Sequence, residues 1–383
     1  MKTKLFTFLF LISLSHFAFG QTIEIDNISY QLMQNSKAVV VQGNYEGHIN
    51  IPEKITYQNQ QYIVEEIGYA AFNESAGLLS VKLPNTIHTI RQRAFGDCKA
   101  LKDINIPVSV TRIDASAFTN CKLLKSINIP ENVAFIGQYA FSGCESLTAI
   151  EVDKNNQHFT SLNGVLYDKE IKTLIKLPDT RSSYEFPDSV TSFVTESFEG
   201  NKNITEIDLP DAVKSIPNHA FVNCSALKVF HIPVNIEWIG LSAFNGCSSM
   251  ETFIVDEHNQ YFSSVDGILY NYDKTILIKC PQTKSEVTIE KSVTKIESWA
   301  FFGCKKLTEI ILPENVITIG MSAFVQCDAL KTVRILSKKP VDIQSGIFAG
   351  RTKAVTVLVS EESISFYRNL NSLDIKELNY QVY

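Results

Sequence analysis

The chain has 383 residues, 45% of them apolar and 20% charged, a composition that fits a folded protein and excludes a low-complexity or collagen-like one. Its formal net charge is -6, becoming -8 without Lys2 and Lys4. Neither value provides the basic face that a nucleic-acid or anionic-membrane partner requires, so neither partner is expected.

Residues 1–20 read as a secretory signal. Lys2 and Lys4 start it, Leu5 to Leu14 form the apolar run, and Ala18-Phe19-Gly20 gives a small-x-small cleavage site before Gln21. The run is short for a membrane span, and nothing after residue 21 has the length and apolarity of a transmembrane helix. Residues 21–70 read as an N-terminal cap. Short strands are expected at Ile23 to Ile25, Ile28 to Tyr30 and Ala38 to Val41, and Ile49-x-Ile51-Pro52 echoes the repeat that follows.

Residues 71–350 are built on one pattern. Ala94-Phe95 is followed by Cys98, then Leu101-x-x-Ile104-x-Ile106-Pro107, then Val110-x-x-Ile113, and Ala117-Phe118 begins it again. Phe72, Phe95, Phe118 and Phe141 are 23 residues apart; Phe198 follows after 57, then Phe221 and Phe244, then Phe301 after another 57. The resulting 103-residue super-period relates Phe95, Phe198 and Phe301. The strand segment alternates with period two, and one coil cannot bury that face alone, so a stacked solenoid is expected. Proline after the strand ends pairing and turns the chain. The segment from Ile136 to Cys144 is expected to form a turn of helix on the far side, with Phe filling the coil.

The two long gaps carry the same insertion, at about 153–187 and 256–290. Gly164-Val165-Leu166-Tyr167 with Leu174-Ile175-Lys176-Leu177-Pro178 in the first matches Gly267-Ile268-Leu269-Tyr270 with Leu277-Ile278-Lys279-Cys280-Pro281 in the second. Each reads as a hairpin that extends the stack. Residues 351–383 read as a C-terminal cap, with a strand at Val355 to Val359, a helix over Glu361 to Leu370 and a strand from Ile375 to Val382.

Eight cysteines in a secreted chain suggest disulfides. Seven of them sit at Phe+3, one per coil, and Ser75 and Asn201 take the same place elsewhere. They read as buried packing residues, with disulfides between coils as the alternative. No GxSxG, HExxH, P-loop, GxGxxG or EF-hand motif is present, and the seven histidines are scattered, so no catalytic residue, cofactor or metal site is expected. Asp153-Lys-Asn-Asn-Gln157 and Asp256-Glu-His-Asn-Gln260 read as turns rather than ion ligands.

The outward strand positions are the candidate ligand surface. Lys102, Lys125, Lys228 and Lys331 form one column, and Asn105, Asn128, Asp208, His231 and Arg334 another. The alternative is a solvated face whose lysines discourage edge aggregation. Phe135 and Trp238 occupy equivalent positions 103 residues apart, where other coils carry Thr89, Arg112, Ser215, Lys295 or Thr318. They read either as interface anchors or as residues packed beneath an insertion.

Together these elements, with the Gly-Val-Leu-Tyr insertion, resemble the BspA-type leucine-rich repeat family of bacterial surface and secreted proteins. The resemblance covers roughly residues 49–350. It implies a right-handed leucine-rich-repeat solenoid, mainly β with short helical turns, at the cell surface or outside the cell. Some members are implicated in adhesion to host matrix proteins, other bacteria or cells, but no short motif carries that activity. The expectation is a non-catalytic binding protein for a protein or glycan; the alternatives are a structural envelope protein and, further off, an enzyme.

Overall fold

A computed structural model of the chain describes residues 20–350, 354–368 and 378–382. The signal sequence expected at residues 1–20 lies outside these apart from Gly20, as do residues 369 and 370 of the expected C-terminal helix and the start of the last strand; residues 361–363, expected in that helix, form a turn before it. The chain divides into two units, Met1–Thr180 and Arg181–Tyr383. Both are β-solenoids of 23-residue coils.

In the first unit, Thr22–Ile25, Ile28–Met33 and Lys37–Val40 form an antiparallel meander. Its last strand pairs in parallel with Gln60–Ile67, and the two-residue strands Thr89–Ile90, Arg112–Ile113 and Phe135–Ile136 continue that ladder. A second parallel ladder joins Gly47–Asn50, Leu78–Lys82 and Asp103–Asn105, and Ser126–Ile129 pairs likewise with Ala149–Val152. The Leu-x-x-Ile-x-Ile segment therefore makes one wall of each coil and Val-x-x-Ile another.

The third wall differs from expectation. The segment from Ile136 to Cys144 is not a turn of helix but two tandem turns, with Tyr139 and Gly143 in the left-handed region at φ 59° and 71°. Residues of positive φ recur just before Ala-Phe (Arg93, Ser116) and two after Phe (Asp97, Asn120). Each breaks the helical path and points amide groups along the stack instead of back into their own coil. Phe72, Phe95 and Phe118 N–H thus donate to the carbonyls of Ala94, Ala117 and Ala140, at 2.7, 2.8 and 2.8 Å. This third backbone ladder satisfies groups that would otherwise be buried without partners.

Inside the coils the phenylalanines stack. Ring centroids are 5.0 Å apart for Phe72–Phe95, 5.3 Å for Phe95–Phe118 and 5.8 Å for Phe118–Phe141, with rings nearly parallel. Tyr45 closes the end of the column at 4.5 Å from Phe72, and its hydroxyl donates to Val41 O. The second unit repeats this with Phe198–Phe221–Phe244 and Phe301–Phe324–Phe348.

The insertions are three-stranded antiparallel meanders. The first comprises Phe159–Leu162, Val165–Asp168 and Thr173–Lys176. The second comprises Phe262–Val265, Ile268–Asn271 and Ile276–Lys279. In the second unit Ile276–Lys279 pairs in parallel with Lys295–Ile296, which leads to Thr318–Ile319 and Asp342–Ile343, so the insertion supplies a rung of the stack. Its foot is pinned by Asn259, buried with Nδ2 donating to Pro233 O (2.8 Å) and Ile236 O (3.0 Å), and Oδ1 accepting from Tyr261 and Phe262 N–H. Asn156 does the same in the first insertion, so both Asn-Gln runs are turns and not ligand loops.

The other wall of the second unit joins Glu309–Leu312, Thr332–Ile335, Val355–Val359 and Leu378–Val382, all parallel. The one described α-helix, Ile364–Arg368, inserts Tyr367, whose hydroxyl accepts from Val341 N–H at 2.8 Å. Among the described residues no helix is long and apolar enough to cross a membrane.

Candidate functional site

All eight cysteines are buried and free, and they do more than fill space. Six of the thiols meet the Phe carbonyl of the preceding coil, whereas Cys304 Sγ faces Pro281 O at 3.7 Å. Cys98 Sγ donates to Phe72 O at 3.0 Å, Cys121 to Phe95 O at 3.1 Å and Cys144 to Phe118 O at 3.2 Å. Burial pushes the Cys98, Cys144 and Cys247 thiols up to about 12, which removes the thiolate that a nucleophile or metal site needs.

Lys102, Lys125, Lys228 and Lys331 are all exposed, but the stacking does not make them one column. Lys102 and Lys125 belong to successive coils. Lys228 instead lies between Thr205 and Glu251, and Lys331 between Thr308 and Thr356. The neighbouring column is also less polar than the sequence suggested. Register puts Ile254 beside His231 and Ile311 beside Arg334, and the two isoleucines are 44% and 46% exposed. On the same face Glu206, Asp208 and His231 bring their ligand atoms within 4.8 Å of one another, with His231 Nε2 3.3 Å from Glu206 Oε1. Both carboxylates of this group are exposed.

Phe135 and Trp238 are both partly exposed but differ in what covers them. The Arg112 guanidinium lies 4.0 Å from the Phe135 ring centroid, a cation–π contact. At the matching place beside Trp238 stands Ser215, too short to cover an indole. Trp238 lines a cavity of about 230 Å³ with Leu241, Asn245, Lys279, Ser298 and Trp299 among its walls. Trp238 is thus exposed and shares this cavity with Ile276, Ile278 and Lys279 of the last strand of the second insertion. A larger cleft of about 1010 Å³ lies at the N-terminal meander, with Glu24, Asp26, Glu46 and Lys54 on its rim.

Sequence reasoning did not single out the lysine of each insertion. Lys176 and Lys279 are only 2% and 6% exposed. Lys176 Nζ is 2.7 Å from Asp179 Oδ1, an ion pair within the core. Lys279 Nζ donates to Asn245 Oδ1 at 2.7 Å and Trp299 O at 2.8 Å, and desolvation pulls it down to about 8. The signal was the alternation Leu174-x-Lys176, which puts the lysine on the same inward face as the leucine.

A sequence profile described as BspA type leucine rich repeat region matches the chain in six copies, over residues 45–172, 179–266 and 274–381. No match was found among curated proteins. Among solved structures, a leucine-rich repeat protein from Eubacterium ventriosum is similar at 22% identity, with 86% of this chain and 94% of that one covered and a TM-score of 0.52. A leucine rich cell surface protein from Faecalibacterium prausnitzii is similar at 22% identity over 90% of this chain and 85% of that one, TM-score 0.42. Repeats spread over most of the sequence, and coils of the same step in both units, place the chain in the BspA-type leucine-rich repeat family.

Proposed function

We propose that the chain is an extracytoplasmic, non-catalytic binding protein that presents the outward face of its strand ladders to a protein or glycan. The observation that carries this reading is that an isoleucine stands half exposed beside a basic side chain on each of two strand ladders of the second unit, Ile254 beside His231 and Ile311 beside Arg334. Apolar side chains ringed by charged ones are the composition of a recognition patch. His231 and Arg334 sit on strands paired on both sides, which leaves little ordering to oppose binding there. Family membership and the signal-like residues 1–20 support an extracytoplasmic location. All eight cysteines are buried, and burial raises the Cys98, Cys144 and Cys247 thiols, which speaks against thiolate chemistry at those three.

The test is a glycan array and solid-phase binding to immobilised extracellular-matrix proteins, using residues 21–383. Saturable binding at micromolar concentration or tighter is expected. Absence of any partner at that concentration, with the protein folded, would refute the reading.

A further inference from the structure

The second insertion differs from the first in one chemical respect. Lys279 corresponds to Lys176 across the 103-residue super-period, and both are buried. The earlier lysine has a carboxylate, Asp179, at 2.7 Å. The corresponding position holds Gln282, which is 6% exposed and whose Nε2 has no hydrogen-bond partner. Among the described residues no carboxylate pairs with Lys279; its ammonium is held by two neutral oxygens, Asn245 Oδ1 and Trp299 O. The Phe302 ring, 5.7 Å from the ammonium, adds a cation–π contact but no negative charge, so the buried cation gains from any anion that reaches it.

An approach exists. Lys279 lines the 230 Å³ cavity whose walls include Trp238 and Trp299, the only two tryptophans of the chain. Trp299 is held edge-on against Phe302, with ring centroids 5.6 Å apart. Glu297 and Ser298 also line the space, and Glu297 Oε2 is already paired with Lys295 Nζ at 2.7 Å, so its charge does not oppose an anion. The volume lies below the roughly 300–1,000 Å³ of pockets for drug-sized ligands, which leaves room for one ring and not a chain of them.

We propose that this cavity binds an acidic sugar unit, a pyranose bearing a carboxylate, with its ring against Trp238 and Trp299, its carboxylate toward Lys279 and its hydroxyls toward Ser298 and Glu297. This deepens the binding reading, on which it rests, by naming a ligand class. An aromatic acid would use the tryptophans and the lysine but offer no hydroxyl to Ser298 or Glu297. The ammonium must be protonated to attract a carboxylate. Burial sets Lys279 at about 8; the thiols of Cys247, Cys280, Cys304 and Cys327 and the Glu297 carboxylate on the cavity wall, paired with Lys295, are the titratable groups around it. Affinity for the acid is therefore present at pH 6–7 and falls as pH rises through about 8.

The experiment is a titration of residues 21–383 with glucuronic acid, N-acetylneuraminic acid, glucose and benzoate, read by tryptophan emission and calorimetry. At least one acidic sugar should bind saturably, about ten-fold or more tighter than glucose, as expected for one charge-assisted contact. Lys279→Met should remove that preference. Trp238→Ala, altering a side chain 49% exposed, should abolish binding with the circular dichroism unchanged. If Lys279→Met does not fold, the acid-to-neutral ratio and Trp238→Ala still decide. The proposal is overturned if no acid binds at tens of millimolar, if glucose or benzoate binds as well as the sugar acids, or if Trp238→Ala binds normally. A ligand found by array that is indifferent to Trp238→Ala would sink this inference and leave the binding reading standing.

Discussion

Replacing Asn259 by alanine should destabilise the second unit by about 4 kcal/mol. The side chain is 1% exposed and ties the start of the insertion to the coil before it. Two of its partners, Ile236 O at 3.0 Å and Phe262 N–H at 2.8 Å, are fully buried. Water cannot replace the amide there, and each buried group left unpaired costs roughly 1–3 kcal/mol, so the pair gives about 4. The other three partners, Pro233 O, Val234 O and Tyr261 N–H, are only partly buried and add less. Both tryptophans lie in residues 181–383, so urea unfolding followed by their emission reports this unit. At a slope of about 3 kcal/mol per molar urea, the midpoint should fall by more than about 1 M. Asn259→Asp keeps the acceptors and loses the donors, and it sets a carboxylate against those carbonyl oxygens. That raises the folded-state pKa, so the variant should be least impaired below the ordinary carboxylate pKa and worsen as pH rises toward 7. A midpoint shift below about 0.3 M for Asn259→Ala, with unchanged slope, would refute the pinning role.

Two further outcomes follow from the cores. The native chain should show no thiol reacting with a disulfide reagent at pH 8, and all eight should react once unfolded, because burial holds Cys98, Cys144 and Cys247 near 12; rapid labelling of one thiol in folded protein would contradict the ladder. Asp179→Asn leaves Lys176 without its carboxylate in the core, so it should cost about 3–5 kcal/mol in urea unfolding followed by circular dichroism. A cost below about 1 kcal/mol would mean that neutral partners suffice.

The coil was legible because one residue type recurs at one spacing: Phe95, Phe118 and Phe141 had to stack once the 23-residue step was seen. The third wall was not. Its left-handed positions before Ala-Phe are filled by Arg93, Ser116 and Tyr139, which carry no local signature of that conformation. Two residues after Phe a signature does exist, since Asp97, Asn120 and Gly143 are the residues that tolerate positive φ. The hairpin reading missed the first strand of each insertion, although Asn163-Gly164 and Asp266-Gly267 mark the two-residue turn that follows it, both residues of each pair at positive φ. Equal repeat position promised a lysine column, but what stands beside Lys228 is Thr205 and Glu251, residues that only the register of the stack brings to it. Ile254 and Ile311 escaped because Phe253-Ile254-Val255 and Ile310-Ile311-Leu312 read as continuous apolar strand, with no polar residue to mark the outward face.

The most direct test of the binding account compares residues 21–383 with an Ile254→Glu/Ile311→Glu variant on the same glycan array and matrix-protein surfaces. Both positions are outward, so the variant should keep its circular dichroism and urea midpoint. The account predicts that binding falls at least ten-fold, about 1.4 kcal/mol, as acidic side chains replace the two exposed isoleucines. Equal binding by variant and parent would contradict the assignment of this face to the ligand.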